Sequence, residues 1–150
     1  GKGGNINITT SVLYVTNGGE IVVGTRGQGN AGRITIEGDS VSFDGVDSNG
    51  FPSGAFSQVS RGGVGQGGDI RITTNKLSFT KGAQMSTSTF GQGDAGNITI
   101  TAKDAISFDG VGSNGLVSGA FSVVESPAIG QGGKITVNSG LFSIINKGIL

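Results

Sequence analysis

The chain has no cysteine, no histidine and no tryptophan, and only two prolines in 150 residues. Without cysteine or histidine there is no disulfide framework, thiolate nucleophile, zinc site of the usual ligands or Ser-His-Asp triad. Charge is scarce and balanced, with ten Lys plus Arg against ten Asp plus Glu and a formal net charge of zero. No basic face is available to hold a phosphate backbone, so nucleic acid is not an expected partner. No apolar run approaches the roughly 18 to 20 residues of a membrane span, and Gly1 does not open a charged n-region followed by an apolar stretch. These absences predict a segment without a transmembrane element, cut from a longer chain. The lack of cysteine suits an extracellular protein exported unfolded.

Glycine is abundant instead, at 31 residues, far above the usual level of about 7%. It does not recur at every third position and proline is rare, which excludes collagen. Hydrophobic residues make up 34% of the chain, too many for a charged, disordered segment, so a folded β protein is expected. The sequence repeats itself. GQGNAGRITI from Gly27 returns as GQGDAGNITI from Gly91, eight of ten identical at an offset of 64, and GKGGNINITT from Gly1 returns as GQGGDIRITT from Gly65. SFDGVDSNGFPSGAFS from Ser42 returns as SFDGVGSNGLVSGAFS from Ser107, offset by 65 through a one-residue insertion at Lys103. One module therefore covers 1–64, a second 65–129, and a partial third 130–150, within a single domain.

Each module divides again, because an Ile-x-Ile strand follows every glycine cluster, starting at Asn5, Arg33, Asp69, Asn97 and Lys134, which are 28, 36, 28 and 37 residues apart. A second alternating strand follows each (Leu13-Tyr14-Val15, Val41-Ser42-Phe43, Leu77-Ser78-Phe79, Ile106-Ser107-Phe108, Phe142-Ser143-Ile144), and a third lies around 20–25, 55–59, 84–89 and 120–124. Three short period-2 strands per unit predict an all-β fold, a right-handed parallel β-helix (β-solenoid) of about five coils alternating between about 28 and 36 residues. Alternation sends Ile6, Ile8, Leu13 and Val15 inward, leaves Asn7, Tyr14 and Thr16 outside, and stacks Phe43, Phe79 and Phe108 as an internal ladder. For Phe56 and Phe121 the alternation permits either face. A β-sandwich or propeller, with strands joined by hairpins, fits less well, because the strongest similarity runs between equivalent strands a whole coil apart.

The GQGNAGRITI and GQGDAGNITI cassettes, the SNGFPSGAFSQV and SNGLVSGAFSVV segments and KLSFTKGAQMSTSTFGQGDAG resemble the repeats of filamentous-haemagglutinin-like exoproteins. The match is to the two-partner secretion and haemagglutinin-like surface proteins of cyanobacterial type. It covers essentially the whole chain and is weakest from Leu141 to Leu150, where LFSIINKGIL departs from the LSFTKGAQ pattern. The resemblance implies a parent chain exported through an outer-membrane transporter to the cell exterior or outer surface, and a non-enzymatic structural shaft serving adhesion or forming a fibre.

The long connections from Asp44 to Ser53 and from Asp109 to Ser118 are the candidate partner-binding loops, because an insertion in a solenoid projects from one face and leaves the core undisturbed. Asp44, Asp47, Asn49 and Phe51 are expected about 10 Å below Asp109, Asn114 and Leu116, at two strand spacings. The stripe would suit cell-surface carbohydrate, and a carbohydrate-binding or carbohydrate-cleaving β-helix is the competing function. The plainer account is turn chemistry at Asp-Gly and Asn-Gly, with Phe51 and Leu116 covering the adjacent strand. A calcium β-roll is disfavoured because Gly67 stands where the ligand Asp belongs and Asp94 is matched by Asn30. A catalytic carboxylate pair is disfavoured because Asp47 becomes Gly112 in the second module. An ice-binding array fails because Thr87-Ser88-Thr89 has no Thr-x-Thr counterpart in Val22-Val23-Gly24 or Phe56-Ser57-Gln58. No catalytic residue, metal or cofactor is assigned. Strand edges at Asn5 to Thr9 and near Phe142 to Ile145 carry no cap or charged coil, so neighbouring coils of the same chain or head-to-tail association with another copy is expected to pair them.

Overall fold

The computed structural model describes all 150 residues and is all-β, with no helix and hence none long and apolar enough to cross a membrane. Its strands are β1 (Ile6–Thr9), β2 (Val12–Thr16), β3 (Glu20–Thr25), β4 (Ile34–Glu37), β5 (Ser40–Asp44), β6 (Gly54–Val59), β7 (Ile70–Thr80), β8 (Gln84–Thr89), β9 (Ile98–Asp109), β10 (Gly119–Val124) and β11 (Ile135–Ile145). One sheet has seven strands, with β1, β4, β7, β9 and β11 paired in succession and β2 and β5 joined through β7. The other has four strands in the order β3, β6, β8, β10. Every pairing between strands is parallel.

Equivalent residues of the sequence repeat are partners in register. Ile6 pairs with Ile34, Ile34 with Ile70, Ile70 with Ile98 and Ile98 with Ile135, so the spatial offsets are the 28, 36, 28 and 37 residues of the sequence period. Phe43 pairs with Phe79, and Phe79 with Phe108. All three rings are fully buried. Phe43 and Phe79 stack at 4.7 Å with 9° between their planes, while Phe108 meets Phe79 edge-on at 5.3 Å and Phe142 edge-on at 5.5 Å. Burial of each such side chain stabilises the fold by about 1.5–3 kcal/mol relative to exposure. On the opposite face of the same sheet Tyr14 is 70% exposed, and the Ser78 hydroxyl donates to the Ser42 hydroxyl at 3.0 Å.

In β6, Ala55, Ser57 and Val59 face the core and are fully buried, which resolves the ambiguity at Phe56. Phe56 takes the other face, yet is only 6% exposed. Its ring lies across Gly54, where an added Cβ would stand 2.6 Å from Cζ.

The expectation of three separate short strands per repeat holds only in the first two repeats. In the next three the first and second strands run on as β7, β9 and β11, of 11, 12 and 11 residues. The corner between them survives as a bulge, with register shifts between Thr74 and Lys76 and between Ser139 and Leu141. The Asp39 carbonyl there accepts from both Asn75 N–H (3.1 Å) and Lys76 N–H (3.2 Å), so two amides face one acceptor, as a bulge requires. The hydroxyls of Thr10, Thr74 and Ser139 mark this corner by donating to the carbonyl two residues on. In the second repeat the pairing is interrupted at Gly38, where a Cβ would stand 2.6 Å from the Thr10 carbonyl oxygen. The extra residue at Lys103 falls within the bulge, since Thr74 pairs with Ala102 but Lys76 with Ala105.

The glycine clusters stack in columns. At Gly68 an added Cβ would stand 1.7 Å from the Gly32 carbonyl oxygen, and Gly32, Gly96 and Gly133 are crowded in the same way by Gly4, Gly68 and Gly96. Close approach of backbones, more than positive φ, is therefore what these corners demand. Side chains satisfy the corner amides. Asn5, Asn30, Asp69, Asp94 and Asn97 each use Oδ1 to accept a backbone N–H of the following repeat, from Arg33, Gln66, Asn97, Gln131 and Lys134, at 2.8–2.9 Å. From inside, the hydroxyls of Ser57 and Ser122 accept from Gly68 N–H and Gly133 N–H, and Thr87 donates to the Gly96 carbonyl. The hydroxyls of Ser57 and Thr87 can be buried because they have partners, whereas Thr89 Oγ1 is buried without one.

Two pairs of substitutions test this arrangement by urea or thermal unfolding. Phe79→Ala is expected to cost about 3–5 kcal/mol and Tyr14→Ala less than about 1 kcal/mol; similar losses would contradict the inward and outward register. Gly68→Ala should destabilise by at least about 1–3 kcal/mol, because a backbone oxygen cannot move aside. Gly27→Ala, where a Cβ meets nothing within 4 Å, should be neutral or stabilise by about 0.4–1 kcal/mol.

Candidate functional site

The two long connections are small hairpins. Val46 bridges Pro52 and Val111 bridges Val117, both antiparallel, the exceptions in a parallel structure. Each closes through paired backbone bonds: Asp47 N–H to Phe51 O with Gly50 N–H to Asp47 O, and Gly112 N–H to Leu116 O with Gly115 N–H to Gly112 O. Gly50 and Gly115 close the turns at φ of +88° and +87°, a conformation that glycine adopts without strain.

Two anchors fix each hairpin to its neighbours. The buried Ser53 hydroxyl accepts from Gly18 N–H at 2.9 Å and donates to the Asp44 carbonyl at 2.8 Å. Ser118 does the same between Gly82 N–H and the Asp109 carbonyl. The hairpins thus fold toward the preceding repeat, over turns that are short and glycine-bearing. A Cβ on Gly18 would stand 2.6 Å from Asp47 Cβ, and one on Gly82 would stand 2.8 Å from Gly112 N. Toward the following repeat, the Asp44 carboxylate accepts from the Thr80 hydroxyl and lies 3.3 Å from Lys81 Nζ, and Asp109 Oδ1 accepts from Asn146 Nδ2 at 2.8 Å.

Because the intervening turn at Lys81 and Gly82 is short, the second hairpin reaches the first. Asp44 and Asp109 stand two strand spacings apart through Thr80, about 10 Å, as expected, and the hairpin tips meet across that gap: Asn114 Nδ2 donates to the Gly50 carbonyl at 2.7 Å. The steric demand of that contact also accounts for the exchange of Asp47 for Gly112. A Cβ on Gly112 would already stand 3.0 Å from Val46 Cγ1 and 2.9 Å from the Lys81 carbonyl oxygen. Asp47 instead caps its own turn, its Oδ1 accepting from Asn49 N–H and Phe51 N–H at 2.8 Å. In the second hairpin Asn114 takes over that duty, with Oδ1 accepting from Leu116 N–H at 3.0 Å.

Of the seven residues singled out, Asp44, Asp47, Asp109 and Asn114 are engaged in fixing the hairpins, as turn chemistry requires. Asp44 and Asp47 answer to different partners, Thr80 and Lys81 for one and the turn amides for the other. Asn49 is exposed with a free carboxamide, Phe51 is 59% exposed and Leu116 is half-buried. The two hairpins therefore present an exposed aromatic ring and an exposed carboxamide, which can stack and hydrogen-bond. Asn30 and Asp94 each use Oδ1 to accept a backbone amide. Ser53 and Ser118 were not among the residues expected to matter. Their signal was the serine shared by SNGFPSGA and SNGLVSGA. Comparison with protein-family models, curated proteins and solved structures finds no match.

Removing a Ser118 hydroxyl that serves two buried backbone groups should cost about 1–3 kcal/mol. Asn114→Ala breaks two bonds, to the Gly50 carbonyl and from Leu116 N–H, but both are exposed and water can satisfy the freed partners, so it should cost no more than about 1.5 kcal/mol. Urea unfolding of both variants checks the order, and a larger loss at Asn114 would contradict the anchoring role given to the serine.

Proposed function

We propose that the chain is a segment of right-handed parallel β-helix of about five coils, acting as a non-enzymatic structural shaft in a large exoprotein at the cell exterior or outer surface. In such a shaft the repeat carries length and the hairpins carry whatever contact the surface makes, serving adhesion or fibre formation. Export of the parent chain through an outer-membrane transporter belongs to the same proposal, and rests on the resemblance of the GQGNAGRITI and SNGFPSGAFSQV cassettes to two-partner secretion exoproteins. The observation that carries the shaft reading is the in-register stacking of equivalent residues: five successive first strands paired at offsets of 28, 36, 28 and 37 residues. Each repeat gains its burial from its neighbours, so a stack of this kind extends by addition of further units.

A second reading, a carbohydrate-binding surface, draws on the exposed Phe51 ring beside the free Asn49 carboxamide, since aromatic rings stack on apolar sugar faces.

Duplicating residues 65–129 in tandem tests the shaft, because Gly130 follows Ile129 as Gly65 follows Val64 in the repeat. The longer chain should fold and lengthen along one axis by about 10 Å, two strand spacings, in small-angle X-ray scattering. Isotropic growth or failure to fold would overturn the reading. Glycan-array binding that is lost in Phe51→Ala would favour the carbohydrate-binding surface instead.

A further inference from the structure

The chain contains three Asn-Gly steps, Asn17-Gly18, Asn49-Gly50 and Asn114-Gly115, all at turns, where this dipeptide is favoured for its backbone conformation. The same dipeptide is chemically reactive, because the unhindered glycine amide can attack the preceding carboxamide. The structure treats the three steps differently.

At Asn114 the carboxamide is held at both ends, Oδ1 by Leu116 N–H at 3.0 Å and Nδ2 by the Gly50 carbonyl at 2.7 Å. At Asn17 the side chain is exposed, but the following amide is sequestered: Gly18 N–H donates to the fully buried Ser53 hydroxyl, and Asp47 Cβ and the Phe51 carbonyl press against Gly18. At Asn49 the carboxamide is exposed and free of intramolecular bonds, because Asp47 caps the turn in its place. Gly50 N–H donates to the Asp47 carbonyl at 3.0 Å, as Gly115 N–H does to the Gly112 carbonyl at 3.0 Å. The two hairpins therefore restrain the attacking amide alike and differ at the group that is attacked.

We infer that Asn49-Gly50 is a site of spontaneous deamidation on the hairpin ridge, selected by the Asp47 cap that leaves the Asn49 carboxamide free. The Gly50 amide gives up its proton to solvent base and attacks Asn49 Cγ. The N–Cγ bond forms, the Cγ–Nδ2 bond breaks, and Nδ2 leaves as ammonia after taking a proton from solvent. Water then adds to the resulting succinimide and opens it on either side, giving an aspartyl or isoaspartyl residue. The net change is the uptake of one water, the release of one ammonia and the gain of one negative charge beside Asp47. In the isoaspartyl form the backbone lengthens by one carbon immediately before Gly50, the residue whose carbonyl holds Asn114. Reaction at Asn49 therefore loosens the contact between the hairpins, and Asn114 follows as the later event.

The test is incubation of the folded chain in mildly alkaline buffer, with peptide mapping by mass spectrometry that separates isoaspartyl from aspartyl products. Rates at each step are divided by those of the same step in the urea-unfolded chain. Losing two bonds that must break before attack separates Asn49 from Asn114 by about tenfold to a hundredfold, so Asn49 should react first and Asn114 and Asn17 well behind it. Asp47→Gly gives the first hairpin the residue that the second carries as Gly112, freeing Phe51 N–H for Asn49. In that variant, with its fold verified by circular dichroism, the Asn49 rate should fall about tenfold. The inference is overturned if Asn114 or Asn17 reacts as fast as Asn49 in the folded chain, if Asn49 is protected as well as they are, or if folded Asp47→Gly reacts at the unaltered rate.

Discussion

At the glycine corners the backbone of one repeat lies directly against the carbonyl oxygens of the repeat before it. The clearances at Gly32, Gly68, Gly96 and Gly133 leave no room for even a methyl group. That contact holds successive chains at strand spacing where no strand runs, so the sheets on either side stay in register without slipping. The core depends on it. Ile34 lies over Ile70 and Phe43 over Phe79 only while the corners repeat the same close approach, and an internal ring stack cannot tolerate a shift of one residue, which would turn every side chain to the opposite face.

A backbone packed so tightly must still satisfy its polar groups, and the corners cannot do so with ladders alone. Two sets of side chains complete the work. Asparagine and aspartate reach outside from one repeat to an amide of the next. Ser57 and Ser122 do so from within, and Thr87 donates to the Gly96 carbonyl. Hydroxyls at otherwise apolar core positions are thus part of the fold's polar accounting, and Ser53 and Ser118 extend the same device to the hairpins.

The hairpins occupy every second repeat, and the short glycine-bearing turns between them make the space into which they fold. The result is a continuous ridge rather than isolated loops, joined by the Asn114 to Gly50 bond. Because Gly112 must pass over Val46 and Lys81, the two hairpins cannot be chemically identical. The first keeps an aspartate cap and a free asparagine, and the second spends its asparagine on the cap and on the contact. A nearly exact sequence repeat therefore presents two different surfaces.

Much of the fold was legible in the sequence because its determinants are local and periodic. Alternation of Ile, Val and Phe with polar residues defines the strand faces, and recurrence at 28 and 36 residues identifies the partners, so the Phe43, Phe79 and Phe108 column followed from the pattern alone. The candidate loops were also legible as insertions rich in turn residues. What the pattern could not supply were choices made by layers meeting in space. Whether the corner joins the strands, as in β7, β9 and β11, or interrupts them, as at Gly38, is not written in the pattern, since the Ser11 carbonyl accepts two amides at the interrupted corner just as the Asp39 carbonyl does at the joined one. The direction in which the hairpins fold depends on buried serines and on glycines 35 or 36 residues earlier. The contact between the hairpins joins residues 64 apart, and only that packing decides which of two equivalent asparagines is bound and which is left free.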